Sequence, residues 1–257
     1  MTLDEYAPSV DSADLLLEAL AENNRLSGTR IEGGFSWPER NIDAVFSGCR
    51  FDDGIFAGAD LAGASFEDCE FAQCSLRGAD LRDTRFSDCK LYLDDQASDF
   101  RYCELRDARF ENCDLTTCTF ERANAYGLKL IRCQAQGADF TNVDFGLTMG
   151  RKQTLTDFEC DSCNLAYANF SSTHLEGAVF KSSRLAHAVL HNCDLRNARL
   201  TDCELDNLDA ARLTLTGANL CGSRFNNLNP KEIDLTGAQV DADQALSLLS
   251  ALGIDVV

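Results

Sequence analysis

The sequence predicts an all-β solenoid, a chain that turns a corner after each short extended segment and stacks coil upon coil. Three observations predict it. Every fifth residue of one long stretch is Phe or Leu: Phe46, Phe51, Phe56, Leu61, Phe66, Phe71, Leu76, Leu81, Phe86 and Leu91. The residue two before each centre is small, as at Ala59, Ala64, Cys69, Cys74, Ala79, Thr84 and Cys89. The residue directly before a centre is often Asp or Asn, as at Asp60, Asp80, Asp114, Asp139, Asn164, Asn169, Asp194 and Asn219. Centre and minus-two positions share a parity, so in extended chain they point to the same side and the remaining positions face outward. A period of five matches neither an α-helix nor a long strand. It matches short extended segments joined by corners, repeated coil after coil.

Taken in order, residues 1–45 lie outside the clean repeat. Asp11 to Asn24 reads as a short helix with Leu16 and Leu20 apolar and Asp14 in its first turn. A solenoid end exposes open core and unpaired backbone, so this segment is expected to cap it; partner binding is the alternative. The repeat then fills residues 46–240 with two interruptions. After Leu91 the phase slips and resumes at Phe100, Leu105, Phe110, Leu115 and Phe120; it pauses again after Phe145 and returns at Leu165, continuing to Phe225. The interruptions, near residues 92–99 and 146–157, carry Asp94 and Asp95, then Met149, Arg151 and Lys152. Loops on a rigid scaffold often carry function, so these five residues are candidate partner contacts; tolerated insertion is the alternative. Residues 241–257 predict a terminal helix with Asp241 as N-cap, Gln244 completing a capping box and Gly253 closing it. Its apolar residues lie on more than one face. One face can cover the last coil, and Leu246, Leu249, Leu252 and Ile254 are the candidate dimer interface.

Composition removes several functions. The 257 residues carry a net charge of −19, which argues against direct nucleic-acid binding and against an anionic membrane surface. No apolar run reaches the length of a transmembrane helix. The opening Met1-Thr2-Leu3-Asp4-Glu5 lacks a basic region, so the expected location is cytoplasmic. Of the 13 cysteines, Cys49, Cys69, Cys74, Cys89, Cys103, Cys113, Cys118, Cys133, Cys163, Cys193 and Cys203 take the minus-two position, where Cys serves as a small buried hydrophobe. Cys160 and Cys163 are spaced like a metal or redox pair, but Cys160 falls on a centre and no second pair accompanies it. His174, His187 and His191 fall on outward phases without a recurring acidic or nucleophilic partner. Phosphate loops, nucleophile elbows and paired metal motifs are missing from the sequence, so no enzyme, cofactor or metal is expected.

The repeat resembles the pentapeptide-repeat family over roughly residues 46–225, which implies a right-handed quadrilateral β-helix with four repeats per square coil. Within that family the chain is similar to the Qnr-type quinolone-resistance, topoisomerase-protecting proteins. The likeness rests on the stretches Arg132 to Phe140 and Cys163 to Phe170, and on the tail from Asn229-Pro230 to Ile254. The two interruptions also fall where that subfamily has loops. The resemblance implies a dimer joined by C-terminal helices that mimics DNA, binds DNA gyrase or topoisomerase IV and relieves inhibition by quinolones or natural poisons. A structural or adaptor protein with another partner is the alternative. The magnitudes agree: a two-rod dimer about 80 Å long would face DNA carrying about 47 charges, and twice −19 gives −38.

Overall fold

The computed structural model describes residues 9–33, 37, 43–54, 56–149 and 153–255. They form the expected right-handed quadrilateral β-helix. One coil serves as an example. Residues 44–48 form the first face, 49–53 the second, 54–58 the third and 59–63 the fourth; residue 64 then starts the first face again. The first face holds a nine-stranded parallel sheet, in which Leu26 pairs with Phe46, Phe46 with Phe66 and Phe66 with Phe86. Single-residue bridges continue it through Asn219 to Gln239. From Arg25 to Gln239 that face runs about 50 Å at ~4.8 Å per rung.

Backbone chemistry explains why the chain turns every five residues. The residue before a centre pairs twice with the preceding coil, and its two neighbours pair with the next: Glu104 donates its N–H to Ala79 O at 3.0 Å and its carbonyl accepts from Leu81 N at 2.8 Å, while Cys103 O accepts from Asn124 N and Leu105 N donates to Asn124 O. At many corners a tight turn returns the chain, as where Ala64 N–H donates to Leu61 O at 3.0 Å. The residue two after the centre therefore needs positive φ, and Gly63, Asp83, Asp107 and Gly127 supply it along one edge.

The centres stack in columns along the axis. Phe46, Phe66, Phe86 and Phe110 lie ring on ring at 5.0, 4.9 and 4.6 Å. A second column runs Phe100, Phe120, Phe140, Phe170 at 4.9, 4.8 and 4.7 Å. These are the coil spacing itself, so backbone pairing and ring stacking impose the same repeat. At two small centres the minus-two residue is large. Cys160 is a centre and Phe158 fills the space two residues earlier; Ala210 is a centre and Leu208 does the same.

The solenoid begins earlier than the sequence boundary after residue 45. Arg25–Ser27 and Arg30–Glu32 are already rungs, paired with Val45–Ser47 and Arg50–Asp52. The five-residue register reaches back through Leu26 and Ile31, but Ser36 and Asn41 fall on its next two centres and interrupt the apolar series. Helix α1, Ala13–Leu20, is capped by Ser12 and buries Leu16 and Leu20 at this end of the core. Trp37 stacks on Phe56 at 4.6 Å. Gly54 makes room nearby, since a Cβ there would lie 2.4 Å from the Phe56 ring.

At the other end α2, Ala242–Ala251, has the expected N-cap Asp241 and reciprocal capping box with Gln244. Gly253, at φ +81°, ends it: Gly253 N–H bonds Ser250 O, and Ile254 N–H bonds Leu249 O. The buried Gln244 side chain also donates to Leu220 O at 2.6 Å and to Ser223 O, fastening the helix to the last coil.

Candidate interaction surface

Five residues per segment and four segments per coil sort the charges by face. The fourth face carries Asp60, Asp80, Asp83, Glu104, Asp107, Asp144, Glu176, Asp194 and Asp234, against Arg82, Arg106 and Arg196. Each of those three arginines is tied to a carboxylate of the same face: Arg82 to Asp80 at 2.5 Å, Arg106 to Glu104 at 3.3 Å and Arg196 to Asp194 at 2.7 Å. Hydrogen bonds from Arg82 hold the Asp80 carboxyl below its usual range, those from Arg196 do the same for Asp194, and Thr236 and Thr216 do it for Asp234. Asp80, Asp194 and Asp234 therefore stay ionised at neutral pH. The other faces are more evenly mixed. On the first, Arg109 pairs with Glu111 at 2.9 Å, Lys129 with Glu159 at 2.9 Å and Lys181 with Asp161 at 3.4 Å. The second face has its own network, in which burial works to raise the Glu70 carboxyl but Lys90 and Arg50 outweigh it and hold it low.

Both interruptions are β-hairpins that leave the coil and return in register. The first pairs Tyr92–Leu93 with Gln96–Ala97 and stands on the edge between the second and third faces. Asp94 and Asp95 are its two turn residues, at φ +53° and +59°, as a two-residue type I′ turn requires. Asp94 leans back to Arg50 at 3.4 Å, and Asp95 accepts from the Tyr92 hydroxyl at 3.2 Å. Turn geometry and local bonds thus account for both aspartates. The second hairpin pairs Gly146–Met149 with Gln153–Thr156 on the edge between the fourth and first faces. It exposes Met149 and Leu155. Arg151 and Lys152, named as contacts from the sequence, lie outside the described residues.

On α2 and the turn that ends it, Leu246, Leu252 and Ile254 are exposed and Leu249 is half-buried, while Leu248 packs against the core. Twelve cysteines are buried free thiols and Cys221 is partly exposed. Six of them, Cys49, Cys69, Cys89, Cys113, Cys133 and Cys163, stack as one inner column, with Ser183, Cys203 and Ser223 continuing it. Burial pushes isolated thiols such as Cys74, Cys103 and Cys193 up to about 12. Among the described residues no group of three or more His, Cys, Asp or Glu is placed to hold a metal ion. His187 stacks on Tyr167 at 4.8 Å, and His191 Nε2 meets Asp209 at 2.5 Å. No helix of the described residues is long and apolar enough to cross a membrane.

Comparison with known proteins fits this geometry. A family model for the pentapeptide repeat region matches residues 49–130, and one for eight copies of the pentapeptide repeat matches 163–202. The chain is a pentapeptide-repeat protein. It is 30% identical to the pentapeptide repeat protein QnrB4 of Escherichia coli over 81 residues, 32% of this chain. That match spans 38% of the length of the curated relative. Among solved structures it is similar to a trypsin-treated form of QnrB1, described as a plasmid-mediated fluoroquinolone resistance protein. The TM-score is 0.71 at 29% identity, covering 83% of this chain and 97% of that one. Full-length QnrB1 gives a TM-score of 0.62 at 28% identity, covering 82% and 97%. This rod is thus Qnr-like along nearly the whole of its structural relative.

Proposed function

We propose that this pentapeptide-repeat protein binds a type II topoisomerase, DNA gyrase or topoisomerase IV, in place of DNA and relieves its poisoning by quinolones or a natural inhibitor. The observation that carries the reading is the likeness to the fluoroquinolone resistance protein QnrB1 over 97% of that chain. The fourth face supports it and is the proposed DNA-like surface. Its carboxylates recur on most coils, at rungs about 4.8 Å apart with gaps at Asn124 and Thr214, against one charge per ~3.4 Å along a DNA strand. The activity is binding, without a catalytic step. The second hairpin borders this face, and its exposed Met149 and Leu155 are proposed contacts beside the cationic groove. Leu246 of α2, with Leu252 and Ile254 just after it, is proposed to join two rods into a dimer, with Leu249 at the rim of the same contact.

The test is a gyrase supercoiling assay with a quinolone, titrated with this protein. Restored supercoiling is expected. The combined variant Asp60→Asn, Asp83→Asn, Asp107→Asn, Asp234→Asn keeps the turn and side-chain acceptors while removing charge. Its binding should weaken and lose much of its salt dependence, because surface attraction is screened within about 8 Å at physiological ionic strength. Gyrase binding by the variant equal to that of the parent would remove the fourth face as the DNA-like surface. Failure of the parent to bind gyrase or topoisomerase IV would leave an adaptor role with another partner.

A further inference from the structure

We propose that the edge between the third and fourth faces, built from Arg77, Tyr102 and Arg122, fixes the register of the acidic face by engaging a carboxylate-bearing protein surface beside the partner's cationic groove. This rests on the topoisomerase reading.

The problem it answers is physical. Where successive coils carry an acid at the same place, the face looks nearly the same after a shift of one coil, about 4.8 Å. Asp60, Asp80 and Glu104 follow one another on adjacent rungs, so long-range attraction alone holds the rod in the groove without choosing a position. A feature that occurs once on the border must choose it. Tyr102 is such a feature. It is 43% exposed, although most large apolar side chains of the wall are buried. It stands at a corner with φ +62°, where a bulky side chain is strained. The preceding coil has Gly78 in that place, with φ +69°. The Arg77 guanidinium lies 4.9 Å from the centre of the Tyr102 ring, and Arg122 Nη1 lies 3.5 Å from its hydroxyl. Arg122 also reaches Glu121 at 3.5 Å; Arg77 makes no ion pair among the described residues.

An aromatic ring flanked by guanidinium groups is the composition of an interface anchor. Its charge decides the partner chemistry. A cationic DNA groove repels Arg77 and Arg122, so they are accommodated only where the groove wall presents carboxylates. In any other register the same cations meet like charge, which penalises the alternatives as well as rewarding the match. The wall's other exposed tyrosine, Tyr167, stands on the edge between the second and third faces and stacks on His187, so it does not border the acids. The second hairpin rises from the opposite edge of the fourth face. The acidic surface is thus bracketed by the two features that break its periodicity.

The experiment uses the full chain, gyrase and a quinolone, with Tyr102→Gly and, separately, Arg77→Gln. Glycine already occupies the equivalent corner at Gly78, so Tyr102→Gly should melt at or above the parent temperature; Arg77 is exposed, so Arg77→Gln keeps the fold by an independent route. Each variant should keep salt-dependent gyrase binding but need at least about tenfold more protein for the same rescue, the loss typical of an anchor. A photocrosslinker at residue 62 should give one cross-linked gyrase site in the parent and several in the variants. Parent-like rescue with the single parental cross-link in both variants would overturn the register role while leaving the topoisomerase reading intact. A parent that neither binds nor rescues overturns both.

Discussion

Truncating Phe120 to alanine tests whether ring columns hold the rod together. Phe120 is fully buried, with Phe100 at 4.9 Å on one side, Phe140 at 4.8 Å on the other and Phe110 edge-on at 6.1 Å. Losing the ring forfeits about 2 kcal/mol of transfer free energy and roughly 1 kcal/mol for each stacked contact. It also leaves a cavity, and both neighbouring rings belong to coils pinned by backbone ladders, so neither can move in to fill it. The total therefore falls at the upper end of the ~3–5 kcal/mol range for such truncations. At about 2–4 °C per kcal/mol for a chain of this size the melting temperature should drop by roughly 10–15 °C. Phe120→Leu is the control. Leu76 and Leu190 occupy the same column, and a volume-conserving change there should cost under about 1.5 kcal/mol. Calorimetry on the three proteins gives the comparison. A loss below about 1 kcal/mol for Phe120→Ala would show that the coils can close around a missing ring, and the column argument would fail.

Two further outcomes follow from burial at other places. Unfolded thiols ionise near pH 8.5, whereas burial pushes folded Cys103 up to about 12; its contribution is therefore complete below about pH 8.5 and is lost at ~1.4 kcal/mol per pH unit as pH rises toward 12. Because the coils above and below Cys103 carry Ala79 and Ala123, Cys103→Ala should fold and show a shallower fall in melting temperature between pH 8.5 and 10.5; a fall identical to the parent's would refute the assignment. At the C-terminus, Leu246→Glu changes an exposed residue, so light scattering should find a folded monomer in place of the proposed dimer, and an unchanged oligomer would exclude that helix face from the contact.

The fold was legible because the five-residue period is imposed twice, by centres that must stack and by small minus-two residues that must fit inside the wall. Its N-terminal start was less so, since polar Ser36 and Asn41 interrupt the apolar register that Leu26 and Ile31 otherwise extend. A second signal went unused. The plus-two column of Gly, Asn and Asp marks positive φ at the corners, and Gly28 and Gly48 carry it back to the earliest coils. The same chemistry bears on Asp94 and Asp95: a type I′ turn selects residues that an interface would also use, so residue type alone does not separate the two roles. The acidic face could not be read by counting twenties. The hairpins lengthen two coils, so that Asp80 lies over Glu104 and Gln134 over Asn164 in place of their twenty-residue neighbours. Only after those insertions are removed do Asp60, Asp80, Glu104, Asp144, Asp194 and Asp234 fall in one column.

Those insertions also show how a periodic rod acquires a specific surface. Each coil touches only its neighbours, so an added segment disturbs nothing beyond its own corner provided the chain returns in register. Both hairpins meet that condition: Arg85 still pairs with Arg109 across the first, and Lys129 with Glu159 across the second. The repeat can therefore supply length, stiffness and charge while its exceptions supply position. Around the fourth face the exceptions sit on both borders, the second hairpin at one edge and Arg77, Tyr102 and Arg122 at the other. The third and first faces lie beyond those borders and carry more balanced charge. A partner that reads only charge would bind this rod at many offsets, whereas one that reads both borders can bind it at one. The proposed protection of a topoisomerase requires the second kind of contact, so on that proposal the borders, more than the acidic ladder between them, should set the choice of target.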